Sequence, residues 1–156
     1  MDILIKTLAL RQVFPPCAEI DDASRHEWCG APVRQELKVD TVWVLGDQLN
    51  SQIGALATVR PGSARVLMIE SASKLTAAPW HVQRAHFLIT SMRRFASEVA
   101  ASGFEVDYRQ TATFAEGLAN HRAEFCPSRI VATEPNSHRA RSLALGEDVV
   151  LVRSNQ

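Results

Sequence analysis

The chain has 156 residues, of which 46% are hydrophobic and 22% are charged, and this composition is typical of one globular domain with its own core. Its 17 basic residues equal its 17 acidic residues, so it lacks the positive excess expected of a strong nucleic-acid interface. The start lacks the long apolar segment of a signal peptide, and no apolar run approaches the ~18 residues of a membrane span. We therefore expect a cytoplasmic protein that does not contact a membrane.

The cysteine and histidine residues do not form a recognisable metal-binding pattern. Cys17, Cys29 and Cys126 contain no C-x-x-C pair, and an odd number fits no complete disulfide framework. His81 and His86 lie five residues apart, which is not the i, i+4 spacing of two ligands on one helix face. We expect buried or idle thiols in a reducing cytosol and no metal site in this chain.

Two regions of the sequence differ in character. Residues 1–38 contain Pro15-Pro16 and Asp21-Asp22 and show no sustained periodicity, so we predict a poorly packed N-terminal extension. From Val39 onward, apolar runs and amphipathic stretches alternate regularly. Residues 39–156 are therefore predicted to form the folded domain.

Strand and helix patterns alternate along this domain. Short apolar runs predict strands at residues 41–45, 65–70, 104–109, 129–133 and 148–153. An apolar stripe with three- and four-residue spacing predicts a long helix over 81–102, and further helices are predicted at 115–125 and from Asn136 to just before Gly146. Such alternation is typical of a doubly wound α/β fold with a parallel five-stranded sheet. We predict the strand order 3-2-1-4-5, with the switch point between the first and fourth strands.

Ligands of such sheets bind beyond the carboxyl ends of the strands at the switch point. The loops there begin at Gly46 and Glu134, and Glu70 ends the neighbouring strand. Neither loop contains a glycine-rich phosphate-binding motif. A phosphate ~5 Å from an unpaired carboxylate such as Asp47 would be opposed by ~3 kcal/mol at an effective dielectric of ~20. Carboxylate acceptors instead suit a neutral ligand with N–H and O–H donors, such as a pteridine-like or flavin-like ring with a polyol tail.

Each of these polar residues also has a purely structural interpretation. Asp47 could cap a helix that follows the first strand, Glu70 could be a solvated strand end, and Asn136 could cap the last helix. The other side chains offer no catalytic constellation: no serine lies in a nucleophile-elbow sequence, and Trp43 is most simply a core or rim residue.

Several strings, taken together, resemble the photolyase/cryptochrome-related group that includes the iron–sulfur bacterial cryptochromes and (6-4) photolyases. Their order and spacing match that group from about Val39 to Val152. The strings are Val44-Leu45-Gly46-Asp47-Gln48-Leu49, Val66-Leu67-Met68-Ile69-Glu70, His81 with Gln83, Ser91-Met92-Arg93-Arg94-Phe95-Ala96, Gly103-Phe104-Glu105-Val106-Asp107-Tyr108-Arg109 and Arg129-Ile130-Val131-Ala132-Thr133-Glu134-Pro135.

The resemblance implies a Rossmann-like N-terminal domain that binds an antenna chromophore, in this group one of the 6,7-dimethyl-8-ribityllumazine type. The contacts that it implies, together with the two residues that the switch-point argument adds, are Gly46, Asp47, Gln48, Leu49, Glu70, Glu134 and Asn136. The stretch from Ala77 to Trp80 departs from the more basic and polar sequence of the group.

The resemblance also implies that relatives contain a second domain, which these 156 residues do not include. Relatives continue into a helical domain that holds FAD and an iron–sulfur cluster and contacts DNA, whereas this sequence ends at Gln156. We expect the chromophore to be its one direct partner and expect no lyase activity from the 156 residues alone, while a full-length relative would repair DNA with light or sense blue light. Two alternatives stay open: a free-standing small-ligand or nucleotide-binding module, and a truncated non-catalytic remnant. The sequence does not determine an oligomeric state.

Overall fold

The computed structural model describes residues 40–77 and 81–153. The predicted extension at 1–38 lies outside the described residues, so the domain boundary stays a prediction. The secondary-structure elements follow in chain order: β1 (Asp40–Val44), α1 (Gly54–Ala57), β2 (Ala64–Ser71), α2 (Ala72–Thr76), α3 (Val82–Ala101), β3 (Glu105–Thr111), α4 (Phe114–Phe125), β4 (Ile130–Thr133), α5 (His138–Gly146) and β5 (Val149–Val152).

The five strands form one sheet in the order β3-β2-β1-β4-β5, and every neighbouring pair is parallel. This confirms the predicted α/β class, the all-parallel sheet and the position of the switch point between β1 and β4. The strand bounds differ from the predicted ones by no more than two residues. The short helices α1 and α2 were not predicted, because four or five residues are too few to establish a helical period.

Two hydrophobic layers cover the sheet, one on each face. On one face, Val66 and Met68 of β2 pack with the apolar stripe of α3, which includes Met92 and Phe95. On the other face, the alternate strand residue Leu67 packs with Trp43, and α4 and α5 complete the layer. Side chains that alternate along buried strands therefore supply both cores.

The ends of the helices follow from local sequence signals. The Thr113 hydroxyl caps α4 by accepting a hydrogen bond from the N–H of Glu116 at 3.1 Å, and the Glu116 carboxylate accepts one from the N–H of Ala112 at 3.0 Å. α5 is capped by Ser137, whose hydroxyl accepts from Ala140 N–H at 3.2 Å, so the alternative that Asn136 caps this helix is wrong.

Cys126 ends α4 in the left-handed region, with φ of 42°. It is disulfide-bonded, so the expectation of idle thiols is wrong for this residue.

Within the part of the chain that the structure describes, every helix is too short or too polar to span a membrane.

Candidate functional site

A cavity of about 500 Å³ lies at the carboxyl edge of the sheet. Its volume is in the range of sites for small ligands, and its place beside the switch point is where doubly wound folds bind them. We call it the main cavity. It is lined by Gly46, Asp47, Ile69, Glu70, Ser71, Lys74, Leu75, Arg84, Phe87, Leu88, Ile89, Met92, Phe114 and Ser137.

Three of the predicted site residues meet in the main cavity: Gly46, Asp47 and Glu70. α3 passes so close to Gly46 that a Cβ added there would lie 2.9 Å from the sulfur of Met92. Asp47 is exposed in a turn, and α1 begins seven residues later with Gly54. The alternative that Asp47 caps a following helix is therefore wrong, and its carboxylate lies at the cavity.

Glu70 is held by two neighbours that its sequence position did not reveal. Arg93 of α3 donates to both carboxylate oxygens, through Nε at 2.7 Å and through a terminal nitrogen at 3.0 Å, and the hydroxyl of Tyr108 donates to the first of these oxygens. Burial raises the pKa of Glu70, but the hydrogen bonds from Arg93 and Tyr108 outweigh burial, so the pKa lies below its usual value.

These contacts change the electrostatic argument about the ligand. The side chain of Glu70 is only 10% exposed, so it is not a solvated strand end. Its charge is matched by Arg93, so it does not oppose an anion in the way that an unpaired carboxylate would. Of the two carboxylates in the lining, Asp47 is the one that forms no ion pair within the described residues, while Lys74 also contributes a positive charge to the lining.

The remaining predicted site residues lie beside the main cavity rather than in its lining. The amide nitrogen of Gln48 donates to the carbonyl oxygens of Thr133, at 3.3 Å, and Glu134, at 3.1 Å, and so joins the loops after β1 and β4. Leu49 packs on the core layer that α3 covers. Glu134 forms an ion pair with Arg141 at 2.7 Å, and Asn136 is exposed.

Sequence reasoning missed the walls of the cavity. Phe87 is 73% exposed although it lies on α3 next to the predicted apolar stripe, and Phe114, the first residue of α4, is also in the lining. A large aromatic off the buried stripe of an amphipathic helix is the signal that could have identified Phe87. Lys74 lies in α2, which was not predicted.

A second polar cluster connects β1, β3 and α4. Thr41 Oγ1 lies 2.8 Å from His121 Nε2, and His121 Nδ1 lies 2.6 Å from Asp107 Oδ2. The order of groups is that of a nucleophilic triad, but Thr41 and His121 are only 1% and 0% exposed. A substrate in solvent cannot reach them, so this cluster is structural. Among residues 40–77 and 81–153, no group of three or more His, Cys, Asp or Glu residues is placed to hold a metal ion.

Comparison with known proteins identifies the family of this fold. Residues 42–146 match the model of the family described as deoxyribodipyrimidine photo-lyase-related protein. A (6-4) photolyase of Agrobacterium fabrum is 30% identical over 107 residues, an alignment that covers 65% of this chain and 21% of that protein. The chain thus spans about a fifth of the length of this curated relative. Because the family match covers more than half of the chain, the protein belongs to the deoxyribodipyrimidine photo-lyase-related protein family.

Proposed function

We propose that this domain binds a light-absorbing heteroaromatic chromophore in the main cavity and serves as the antenna domain of a photolyase-related flavoprotein. The observation that carries the proposal is the cavity itself, which lies beside the switch point and joins the loop after β1 to the end of β2. In a longer protein of this kind, the chromophore would collect light for a flavin, and the flavin and DNA would be bound by other parts of the protein.

The cavity walls suit a flat ring. Phe87, Leu88 and Met92 present apolar surface from α3, and Phe114 and Ile69 lie elsewhere in the lining. Phe87 is an exposed aromatic at a cavity, and covering it with a ring would remove apolar surface from water. These residues fit a ring of the lumazine type as well as a flavin.

The polar groups suit the ring edge and a hydroxylated tail. Asp47 can accept hydrogen bonds from N–H or O–H groups, and the hydroxyls of Ser71 and Ser137 can donate and accept. Gln48 holds the Asp47 loop against the loop after β4, and Arg93 with Tyr108 fixes the orientation of Glu70. We therefore assign ligand contact to Gly46, Asp47 and Glu70 and a positioning role to Gln48.

Titration with 6,7-dimethyl-8-ribityllumazine, followed by its fluorescence, tests the proposal. A hydrogen bond to a charged group contributes ~1.5–3 kcal/mol, so we expect Asp47→Asn to weaken binding ~10-fold or more. Glu124→Gln is the matched control, because Glu124 is an exposed carboxylate that pairs with Arg109 and lies outside the cavity lining. Wild-type protein that binds adenine nucleotides and ignores lumazine would instead favour a nucleotide-binding module.

Two further variants distinguish contact from positioning at Glu70. Glu70→Gln removes the charge that Arg93 and Tyr108 both approach, so we expect ~10-fold weaker lumazine binding. Tyr108→Phe removes one hydrogen bond and keeps the carboxylate, and its effect should be smaller. If Tyr108→Phe weakens lumazine binding as much as Glu70→Gln does, the orientation of Glu70 matters and its charge does not contact the ligand.

A further inference from the structure

The helix α4 lies directly against β2 at Gly117, which is a buried residue. A Cβ built on Gly117 would lie 2.8 Å from Cγ2 and 2.9 Å from Cδ1 of Ile69. These distances are well inside the ~3.5–4.0 Å at which carbon atoms pack. Any side chain at this position would therefore displace Ile69 or push α4 away from the sheet.

The residue that Gly117 contacts is part of the wall of the main cavity. Ile69 lines the cavity from β2, and Phe114, one helical turn before Gly117, lines it from α4, whereas Gly117 itself is not in the lining. Ile69 is only 2% exposed, and it otherwise packs in the core layer that also contains Trp43 and Leu118. Because a protein core is close-packed, the main cavity is the open space into which Ile69 can move.

α4 is held to the sheet one helical turn after Gly117. There, His121 forms hydrogen bonds with Thr41 of β1, at 2.8 Å, and with Asp107 of β3, at 2.6 Å. Moving α4 away from the sheet would break these hydrogen bonds, whereas Ile69 can turn into the cavity by changing its side-chain rotamer. The wall of the cavity is therefore the part that yields when position 117 becomes larger.

We propose that Gly117 determines the width of the main cavity and therefore which fused rings it accepts. With glycine at this position, Ile69 stays against α4, and the cavity of about 500 Å³ accepts a three-ring ligand of the flavin type as well as a two-ring ligand of the lumazine type. A larger residue there would favour the two-ring ligand. The inference deepens the proposed function and rests on it, and it makes Gly117 a specificity-determining residue that acts through Ile69 without contacting the ligand.

A matched pair of probes tests the width of the cavity. Riboflavin and 6,7-dimethyl-8-ribityllumazine carry the same ribityl tail and the same pyrimidinedione edge, but riboflavin has one more ring. We expect the wild-type protein to bind both. In Gly117→Ala, riboflavin should bind ~10-fold more weakly, as one added methyl group in an apolar pocket gives, while lumazine binding should change less than ~3-fold.

The matched control is Gly146→Ala. Gly146 is also a helical glycine, at the end of α5, but nothing lies within 4 Å of its Cβ position. This variant should keep the wild-type ratio of the two affinities. Urea unfolding of every variant establishes that it is folded under the conditions of the binding measurement.

Variants of Ile69 test whether Gly117 acts through this side chain. Combining Gly117→Ala with Ile69→Ala removes both colliding carbon atoms, so riboflavin binding should recover even though the truncation lowers stability. Ile69→Ala alone widens the same wall and should raise the affinity for riboflavin relative to lumazine. This single variant tests the proposal even if Gly117→Ala does not fold.

The outcomes separate this inference from the proposed function. Equal weakening of both ligands in Gly117→Ala, without recovery in the double variant, would mean that α4 moves instead of Ile69, and it would overturn the inference while leaving the proposed function intact. Wild-type protein that binds lumazine but not riboflavin would do the same, because the cavity would not be wide enough for three rings. Wild-type protein that binds neither ring would overturn both.

Discussion

Gly54 is the residue where the backbone leaves no room for a side chain. It begins α1 with φ of +64°, and a Cβ built there would lie 2.2 Å from Thr133 Oγ1. The same hydroxyl oxygen accepts a hydrogen bond from Ala55 N–H at 2.9 Å, so it cannot move away without losing this contact. Gly54 therefore allows the loop after β1 to close on β4, beside the candidate site.

We expect Gly54→Ala to destabilise the protein by ~3 kcal/mol or more, from the left-handed backbone cost of ~1–2 kcal/mol and the collision with Thr133. Gly62→Ala is the control, because Gly62 also has a positive φ of +80° but nothing lies within 4 Å of its Cβ position. Gly62→Ala should lower the free energy of unfolding only by the left-handed backbone cost of ~1–2 kcal/mol. Urea unfolding of both variants measures the difference, and equal losses would show that Thr133 moves aside freely.

At the scale of the elements, α4 is joined to two strands through one buried histidine. His121 bridges Thr41 of β1 and Asp107 of β3, and Arg109 donates to the same Asp107 oxygen at 2.6 Å. Burial raises the pKa of Asp107, but the hydrogen bonds with His121 and Arg109 lower it by more than burial raises it. The pKa of Asp107 therefore lies below its usual value. The ionised carboxylate is therefore part of what connects α4 to the sheet.

This depressed pKa predicts how acid affects the fold. Since the folded-state pKa is lower than the unfolded value of ~3.9, Asp107 contributes stability above ~pH 4, and this contribution is lost as pH falls through the folded-state pKa. One group changes the free energy of unfolding by at most ~1.4 kcal/mol per pH unit. Asp107→Asn should make the acid decline shallower when urea unfolding is measured from neutral to acidic pH. Asp148→Asn, which alters an exposed carboxylate, should keep the wild-type decline.

The sequence predicts the long elements better than their contacts. The stripe of α3 was visible because Met92, Phe95 and Val99 recur over a helix of 20 residues. The pairs that shape the site join distant positions, since Glu70 lies 23 residues from Arg93 and 38 from Tyr108. Strand pairing and helix packing create such pairs, and no local period encodes them. That Asp47 and Glu70 lie at the carboxyl edge of the sheet could be predicted, because Asp47 follows β1 by three residues and Glu70 lies at the end of β2.

At the scale of the whole molecule, the parallel sheet could be predicted because parallel neighbours need crossover helices, and the sequence alternates accordingly. The alternation does not itself select the strand order, since doubly wound folds with the order 2-1-3-4-5 alternate in the same way. The order places β2 between β1 and β3, and Val66, Leu67 and Met68 are 0% exposed. β5 pairs only with β4 among the described strands, and Val150 is 50% exposed. The sheet therefore has a firmly buried centre and a weakly covered edge, and the candidate site lies at the end of its best-protected strands.

This asymmetry predicts the pattern of native-state hydrogen exchange. Amides of β2 that are bonded within the sheet should open only through global unfolding, because β2 is paired on both sides and buried under α3 and α4. Amides of β5 can open by separating one strand from β4, so they should exchange ~100-fold faster, a difference of ~2.7 kcal/mol in opening free energy. Exchange followed residue by residue by NMR measures both sets. Equal protection in β2 and β5 would mean that the edge is covered or that the sheet opens only as a whole.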